Sequence, residues 1–446
     1  MNASAAAAGT VRSAGLRDFL LIWFGQLVSG VGSRVTSFAL GVWVFKTTGS
    51  ATLFATVFVA MAVPALLISP FAGALVDRWD RRRIMIVCEL VSAATIAALA
   101  SLAIGGQLAM WAIWLGVGIT AIANAFLQPA YAASVPLLAD RDRLVRLNGL
   151  IQTGQGFALV GGPALAGVLM KFGGLTGALA VDALTFVVGA VCIALARIPR
   201  PSRPDEASAG LLAEARDGWR HVAARPGLLG LLGLSAAGSF LFAIASIAIT
   251  PLVLIVADGD EGLLGLQMSL ACSGLLIGGL LIALWGGPRR KIDGLLGFTL
   301  LSGLTIAAHG LAPSLVLLTV AGFLMFLTIP PAQSASYALW QTKVPSHLLG
   351  RCMAILRMTG EAALPLGYLL AGPLAEYVFE PALMPGGALA DTVGAVIGTG
   401  PGRGLGLLFV VLGLGMAMVA VLGYGIRSIR EIERELPDAE APAVAG

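Results

Sequence analysis

The stretch GALVDRWDRRR, residues Gly73 to Arg83, lies between two long apolar runs and carries six charged side chains, two Asp and four Arg. The runs on either side can lie in hydrocarbon, whereas a charged side chain at the centre of a bilayer costs about 2.5 to 3.5 kcal/mol or more. The stretch is therefore expected to form a tight aqueous turn between two membrane helices.

The composition supports a membrane protein. Hydrophobic residues make up 58% of the chain and charged residues 12%, with a mean hydropathy of +0.91, whereas about a quarter of the residues of soluble domains are charged. The net charge of +4 comes from basic residues that cluster in particular loops, so we expect no nucleic-acid partner. The first 17 residues lack the pattern of a cleavable signal peptide.

Twelve stretches are long enough to cross a bilayer, which takes about 20 mainly apolar residues at 1.5 Å per residue. This predicts an all-α membrane protein with twelve transmembrane helices. The predicted spans are 19-45, 51-75, 84-104, 109-135, 147-170, 175-196, 228-256, 262-285, 294-312, 314-340, 350-377 and 405-426.

Positive charge is distributed unequally between the two sides. If the Gly73 to Arg83 turn is cytoplasmic, 23 of the 28 Lys and Arg residues lie on that side, and Lys46, Lys171 and Arg403 lie opposite. Basic loops stay in the cytoplasm. We therefore expect a multi-pass protein of the inner (plasma) membrane with both termini cytoplasmic.

Two loops are long. The first is rich in Pro, Ser and charge, so we divide the chain into a bundle at 1-196, a cytoplasmic linker at 197-227, a bundle at 228-426 and a tail at 427-446. Within the linker, AEARDGWRHV predicts a short amphipathic helix on the membrane surface. The second loop, Glu376 to Gly404, is rich in Gly and Pro and is expected to be a flexible outer cap.

The two halves resemble each other with a constant offset of 205 residues. Arg146 pairs with Arg351, Gly162 with Gly367, and Gly167 with Gly372. Internal repeats of this kind are common in transporters, where the substrate site lies between the halves near the bilayer midplane. We therefore expect two pseudo-symmetric six-helix bundles.

The opening stretch resembles a family signature. Gly73, Leu75, Asp77, Arg78, Arg81 and Arg82 follow the pattern G-x-L-x-D-R-x-G-R-R of the major facilitator superfamily, with Asp80 in place of its second Gly. The chain is similar in particular to the bacterial branch of drug, macrolide and siderophore exporters. The resemblance implies a gate latch made by Asp77 with Arg78 and Arg81, while a merely topogenic basic loop is the alternative.

A second motif lies in the fifth span. Ala158, Gly162, Pro163, Ala166 and Gly167 approximate the pattern g-x-x-x-G-P-x-x-G-G, which in this superfamily resembles the antiporter signature. Pro weakens the helix and Gly lets a neighbouring helix approach closely, so a bend is expected here. Ordinary packing of small residues is the alternative interpretation.

Ionisable residues within spans are candidates for function because they are costly there. Arg357 and Glu361 are one turn apart and are expected to form an ion pair. Asp182 is expected near the outer end of its span, and Glu89 beside the cytoplasmic Arg cluster. The candidates for coupling are Asp182, Arg357 and Glu361.

The resemblance implies that spans one, four, seven and ten line a central cavity. The candidate cavity residues are Gln26, Arg34, Asn124, Gln128, Gln333 and Tyr337. A broad apolar cavity with few polar groups suits an amphipathic solute better than a sugar. Polar residues that join helices to each other are the alternative for each position.

Together these features predict a proton-coupled secondary exporter of an amphipathic small molecule, working as a monomer in the lipid bilayer. An importer or uniporter of the same fold is the nearest alternative, and a non-transporting sensor is the alternative of another class. No metal, cofactor, nucleophile or ATP-binding motif is expected, so the chain should be neither an enzyme nor a primary pump. The four Cys residues are expected to be small buried hydrophobes.

Overall fold

The computed structural model describes residues 15–76, 79–138, 144–198, 211–311 and 313–437. Every regular element in these ranges is a helix. The helices of the first part are α1 Leu16–Thr48, α2 Ala51–Val76, α3 Arg81–Ile104, α4 Met110–Leu138, α5 Leu144–Leu195 and α6 Leu211–Ala223.

The second part continues with longer helices and ends with short ones. They are α7 Pro226–Val256, α8 Glu261–Trp285, α9 Lys291–Ala308, α10 Leu315–Lys343, α11 Ser346–Pro373, a π-helix at Leu374–Phe379, α12 Glu380–Leu383, α13 Gly394–Ile397, α14 Arg403–Gly425, α15 Arg427–Arg430 and α16 Ile432–Glu435.

Eleven helices in the described ranges are long and apolar enough to cross a membrane. One of them, α5, covers two of the twelve predicted spans. It changes direction at Gly174, whose φ of 60° and ψ of −165° are not helical. A residue with a side chain rarely adopts such a φ. Gly174 therefore divides α5 into α5a (144–173) and α5b (175–195), and all twelve predicted spans overlap helical segments.

Side-chain caps fix the start of several helices. Asp80 accepts a hydrogen bond from the backbone N–H of Arg83 at the start of α3, and Asp260 accepts one from Leu263 at the start of α8. The bond from Leu263 N–H is the largest of the effects that lower the pKa of Asp260, and Lys171 and Lys46 add to it. Negative charge at a helix N-terminus also interacts favourably with the helix dipole.

The helices form two compact units. Unit 1 comprises Met1–Ala39, Val63–Gly162 and Phe172–Asp205. In it α3 packs on α4, and its core lies around buried Phe19, Met85 and Ile193.

Unit 2 comprises Leu40–Ala62, Pro163–Lys171 and Glu206–Gly446. Here α10 packs on α8 and α9, α14 packs on α9, and α11 packs on α7. Its main core includes the fully buried Trp340.

The amphipathic helix predicted in the linker is present as α6, and it packs on α11. Val222 is buried in the core of unit 2, whereas Trp219 is exposed. A Cβ added to Gly218 would lie 3.1 Å from Cβ of Arg351, and Asp217 pairs with that Arg at 3.6 Å. The helix is thus anchored through one apolar face and one ion pair.

The loop that follows α11 differs from its expected form. Instead of an extended flexible cap, it contains the π-helix, α12 and α13, and Leu383, Ile397 and Leu407 form a small hydrophobic core. Glu380 accepts a hydrogen bond from the backbone N–H of Gly402 at 2.6 Å. Apolar residues spaced among the glycines therefore fold this segment against the start of α14.

The four cysteines are buried. Each lies on a membrane-length helix, and none is bonded to another. The prediction that they act as small buried hydrophobes is confirmed.

Candidate functional site

The arginines of the opening stretch bind the ends of neighbouring helices. Arg81 donates to the carbonyl oxygen of Ala133 in α4 at 2.9 Å. Arg82 donates to the carbonyls of Ile193 and Ala194 at the end of α5b. Ile193 and Ala194 are in the last turn of α5b, where carbonyls lack partners within the helix and a cation is favourable. The two arginines thus tie the start of α3 to α4 and α5b.

The structure describes only some of the other residues of this motif. Gly73 lies within α2, and Asp77 and Arg78 lie outside the described residues. Asp80, which departs from the family pattern, caps α3. The substitution therefore supplies an N-cap where Gly would supply none through a side chain.

In the helix-five motif, two glycines admit close neighbours. A Cβ on Gly162 would lie 2.6 Å from Cβ of Arg34 in α1, too close for any real contact. A Cβ on Gly167 would lie 2.7 Å from the carbonyl oxygen of Glu261 at the start of α8. Pro163 lies within α5a and its carbonyl faces Gly265 of α8. The motif thus brings α5a against α1 at one level and α8 at the next.

The repeated glycines make equivalent contacts in the second half. A Cβ on Gly367 would lie 2.8 Å from the carbonyl oxygen of Phe240 in α7, and one on Gly372 would lie 2.6 Å from the backbone nitrogen of Thr52 at the start of α2. As α5a packs on α1 and on the start of α8, so α11 packs on α7 and on the start of α2. Residues 205 positions apart in the sequence therefore make equivalent packing contacts in the structure.

Two polar contacts accompany these glycines, and we call them the distal contacts. In the first, Lys46 pairs with Glu261 and donates to the carbonyl of Gly259 at 3.3 Å. In the second, the carboxylate of Glu376 accepts from the backbone N–H of Thr52 at 3.0 Å and from its hydroxyl at 2.7 Å. All of these residues belong to unit 2.

Glu376 is a candidate functional residue that the sequence motifs do not indicate. It lies in the π-helix that follows α11, and single π-turns in membrane-length helices are frequent at functional sites. The signal in the sequence is the Gly-Pro pair at Gly372 and Pro373, which favours irregular backbone directly before Glu376.

The predicted cavity residues fall into two groups. In unit 1, Gln128 donates to Asn124 at 3.3 Å on the exposed face of α4, and Arg34 is exposed on α1. Gln26 is half-buried on α1 and bonds to Glu89. The second group, Gln333 and Tyr337, is in unit 2.

Gln333 and Tyr337 line a cavity of about 790 Å³ inside unit 2, formed by α7, α9, α10, α11 and α14. Its walls carry apolar side chains together with several hydroxyls and one amide. Arg357 and Glu361 also line it, and they pair with each other at 3.5 Å as predicted from their spacing. The lining includes Leu231, Phe242, Met353, Leu364 and Met416, and its polar members include Ser235, Ser239, Ser302, Thr328 and Ser336.

Glu89 does not join the cytoplasmic arginines as expected. It is fully buried, and its carboxylate accepts from Gln26 at 2.6 Å and from the Ser29 hydroxyl at 3.0 Å, both on α1. A Cβ on Gly189 of α5b would lie 2.9 Å from the carboxyl carbon. The rotation of α3 about its axis, which hydropathy does not specify, turns this side chain into unit 1.

Asp182 also differs from its expected place near solvent. It is only 1% exposed. Its Oδ1 accepts from the Thr185 hydroxyl at 3.1 Å, and it faces Gly32 of α1, where a Cβ would overlap it. Unit 1 therefore holds two buried carboxyl groups between α1, α3 and α5b.

The two units differ in the chemical groups that they offer. Unit 2 supplies a mainly apolar cavity with several hydroxyls, one amide and one ion pair, which suits a molecule that has an apolar body and some polar groups. Unit 1 supplies buried titratable groups, which are functional candidates within membrane helices.

Comparison with known proteins agrees with the fold. Residues 22–368 match the Major Facilitator Superfamily. The chain is 28% identical over 364 residues to macrolide efflux protein A of Streptococcus pyogenes, covering 81% of this chain and 90% of the relative. It is also 28% identical over 371 residues to the multidrug efflux pump Tap of Mycolicibacterium fortuitum, covering 80% and 89%.

Solved structures share the architecture at low sequence identity. A bacterial homologue of the human lysosomal transporter Spinster superposes with a TM-score of 0.72 at 14% identity, covering 96% of this chain and 98% of that one. The nucleoside transporter NupG superposes with a TM-score of 0.69 at 13% identity, covering 91% and 98%. Such identities establish the fold alone.

The family match spans most of the chain, and the fold, the repeat and the opening motif agree with it. The family consists of membrane transporters, so the prediction that the chain is a transporter and not an enzyme is confirmed. The chain belongs to the Major Facilitator Superfamily.

Proposed function

We propose that the chain exports amphipathic small molecules of the macrolide and drug type across the inner membrane, in exchange for protons and by alternating access. The observation that carries the proposal is the cavity of about 790 Å³ in unit 2, which is large enough for a drug-sized solute.

The lining of the cavity supports the class of solute. Phe242 contributes an aromatic wall and packs edge-to-face on Phe326 with ring centroids 6.4 Å apart. A sugar would need a partner for each hydroxyl, and the walls are mainly aliphatic and aromatic. The names of the macrolide and multidrug efflux relatives agree with this choice.

Two features support export. The relatives at 28% identity are described as efflux proteins, and the helix-five motif of Gly162, Pro163 and Gly167 resembles the antiporter signature. The same motif packs against the start of α8, next to the contact between Lys46 and Glu261. A motif that influences the direction of transport would be expected next to contacts that open and close, and this motif lies beside the Lys46–Glu261 contact.

Alternating access requires contacts that break and re-form. The distal contacts suit this role because they are few, polar and partly exposed: the side chain of Lys46 is 43% exposed. An exposed ion pair such as Lys46 with Glu261 contributes about 0 to 1 kcal/mol, so it can open at little cost. At the other end of the helices we propose the latch of Gly73, Asp77, Arg78, Arg81 and Arg82.

The orientation and assembly complete the proposal. The side with the basic loops is cytoplasmic, together with both termini, because positive loops are retained there. The bundles keep the boundaries given by the linker at 197–227, and the functional unit is a monomer.

A resistance and accumulation assay tests the proposal. In an efflux-deficient bacterial host, the chain should raise tolerance to erythromycin and lower its accumulation. Phe242→Ala removes part of the apolar wall, and losing about 40 Å² of apolar contact at about 25 cal/mol per Å² costs about 1 kcal/mol, a roughly fivefold weaker apparent affinity. Asp391→Asn, on the exposed loop before α13, is the control and should behave as the native chain.

The direction of the change separates the alternatives. Export is supported if the native chain lowers erythromycin accumulation below that of the host without the chain and Phe242→Ala raises it again. Higher accumulation on expressing the native chain would indicate an importer, and no change with any of a panel of macrolides, dyes and siderophores would remove transport of amphipathic solutes from the account.

A further inference from the structure

We propose that Glu89 and Asp182 form a two-carboxyl proton-binding site inside unit 1, and that this site carries the protons exchanged for solute. The inference rests on the proposed function, since it names the coupling site of that exporter. It adds Glu89, and it moves coupling away from the Arg357 and Glu361 pair.

The geometry places both carboxyls along one seam between α1 and α5b. Glu89 reaches Ser29 of α1 and Gly189 of α5b, and Asp182 faces Gly32 of α1. Ser29 and Gly32 are three residues apart, about 4.5 Å along the helix, and Asp182 and Gly189 are seven apart, about 10 Å. The two groups therefore occupy adjacent levels of one buried seam.

No basic side chain in the described ranges pairs with either group. Their hydrogen-bond partners are uncharged: Gln26 and Ser29 for Glu89, and Thr185 for Asp182. The other titratable groups near Glu89 are the Cys88 and Cys192 thiols, on α3 and α5b, and the carboxyl group of Asp182 itself. A buried carboxylate without a counter-ion is costly, and such a group exchanges its charge for a proton.

The partners of Glu89 fit both protonation states. A glutamine side chain carries a donor and an acceptor, and a hydroxyl is both. Gln26 and Ser29 can donate to the carboxylate and, after rotating, accept from the carboxylic acid. Gln26 is half-buried, so it links this carboxyl to the more open face of α1.

Asp182 offers a second, independent observation. Its Oδ2 and the hydroxyl of Thr36 are both buried and have no hydrogen-bond partner in the described ranges, although Thr36 lies beside Asp182. Thr36 is 6% exposed. A hydroxyl can both donate and accept, so Thr36 can pair with this oxygen whether or not it carries a proton. Asp182 therefore has an uncharged partner for either protonation state.

By contrast, the pair in unit 2 is poorly placed to hold protons. Arg357 is opposite in charge to Glu361, and their side chains are 77% and 47% exposed. These two residues therefore belong to the wall of the solute cavity.

The first test detects protons without any solute. Purified protein in lipid nanodiscs is titrated, and infrared difference spectra follow the carbonyl stretch of protonated carboxyl groups. Glu89→Gln and Asp182→Asn should each remove part of that band, and the double variant should remove the sum. Glu435→Gln, which removes an exposed carboxylate paired with Arg427, should leave the buried component intact.

The second test links the site to transport. In proteoliposomes, each variant should lose erythromycin accumulation driven by a pH gradient while keeping exchange of labelled for unlabelled erythromycin without a gradient. Retained exchange shows that the variant is folded. A band unchanged in both variants, or full gradient-driven accumulation by both, would overturn the inference.

The outcomes separate this site from the proposed function. If the native chain accumulates erythromycin under the gradient and both variants do too, proton coupling stands and this assignment fails. If erythromycin accumulation by the native chain does not depend on the gradient, the proposed coupling fails, and so does the assignment of transported protons to these carboxyls. The infrared carbonyl band then shows only whether the two carboxyls bind protons.

Discussion

At the scale of single residues, the contact between Gly162 and Arg34 shows how a sequence motif acts physically. Glycine at this position leaves room for the first carbons of an arginine that would otherwise be displaced, since a Cβ would lie 2.6 Å from Cβ of Arg34 and 3.3 Å from Cγ. Arg34 is exposed on α1. Gly162 therefore leaves the space that Arg34 occupies on the exposed face of α1.

Gly162→Ala should destabilise the protein because the added methyl group overpacks this contact, at a cost of about 1 to 3 kcal/mol. The melting temperature in detergent, followed by intrinsic fluorescence, should fall. Gly161→Ala is the matched control, because only Phe157 of the same helix lies near its added methyl group, at 3.8 Å. Equal melting temperatures for the two variants would show that the contact with Arg34 does not constrain α5a.

Residue roles were only partly predictable from the sequence. The spacing of Arg357 and Glu361 indicated their ion pair, because helix geometry alone brings i and i+4 together. The sequence predicts Glu89 beside the cytoplasmic arginines, yet its carboxylate is buried beside Gln26 and Ser29. The direction in which a side chain points around its helix depends on packing between helices, and it cannot be predicted from hydropathy.

At the scale of elements, the π-helix after α11 is the least predictable feature and one of the most informative. It follows Gly372, whose missing side chain admits the start of α2, and it directs Glu376 to Thr52. A carboxylate at the N-terminus of α2 satisfies a backbone N–H that the helix itself leaves unpaired. This is a cap supplied by another helix.

Glu376→Gln should loosen the distal contacts. The carboxylate accepts two hydrogen bonds from Thr52, and bonds to a charged group contribute about 1.5 to 3 kcal/mol each when buried, with less expected here because the site is part-buried. Spin labels at Thr48 and Val378, in a background without native cysteines, should report a broader and longer distance distribution.

Tyr377→Phe is the control for this change, because Tyr377 is the exposed neighbour of Glu376. It should leave the distance distribution as in the native chain. An unchanged distance distribution in Glu376→Gln would mean that the contact between Glu376 and Thr52 does not hold the π-helix against the start of α2.

The elements themselves were largely predictable, since a run of about 20 apolar residues has few alternatives in a bilayer. The predicted break between 170 and 175 coincides with the kink at Gly174. The folded segment from Glu376 to Gly404 was missed because its many Gly and Pro residues suggest a loop. Its small core of Leu383, Ile397 and Leu407 depends on residues far apart in sequence.

At the scale of the whole molecule, the offset of 205 residues joins sequence, packing and function. Gly167 and Gly372 make related contacts with the starts of α8 and α2, and each lies beside one distal contact. Among the described residues, however, the chemistry is not repeated: the buried carboxyls Glu89 and Asp182 belong to unit 1, and the cavity that we propose binds the solute belongs to unit 2. A duplicated scaffold with divided roles is consistent with exchange of two different species.

The central claim is that the chain exports an amphipathic solute in exchange for protons, and everted membrane vesicles test it most directly. Export then becomes uptake into the lumen, which respiration acidifies. Erythromycin should accumulate beyond the level in vesicles that lack the chain, a comparison that removes trapping of a weak base, and nigericin should abolish the excess. An excess that persists after nigericin, or no excess over vesicles without the chain, would contradict the account.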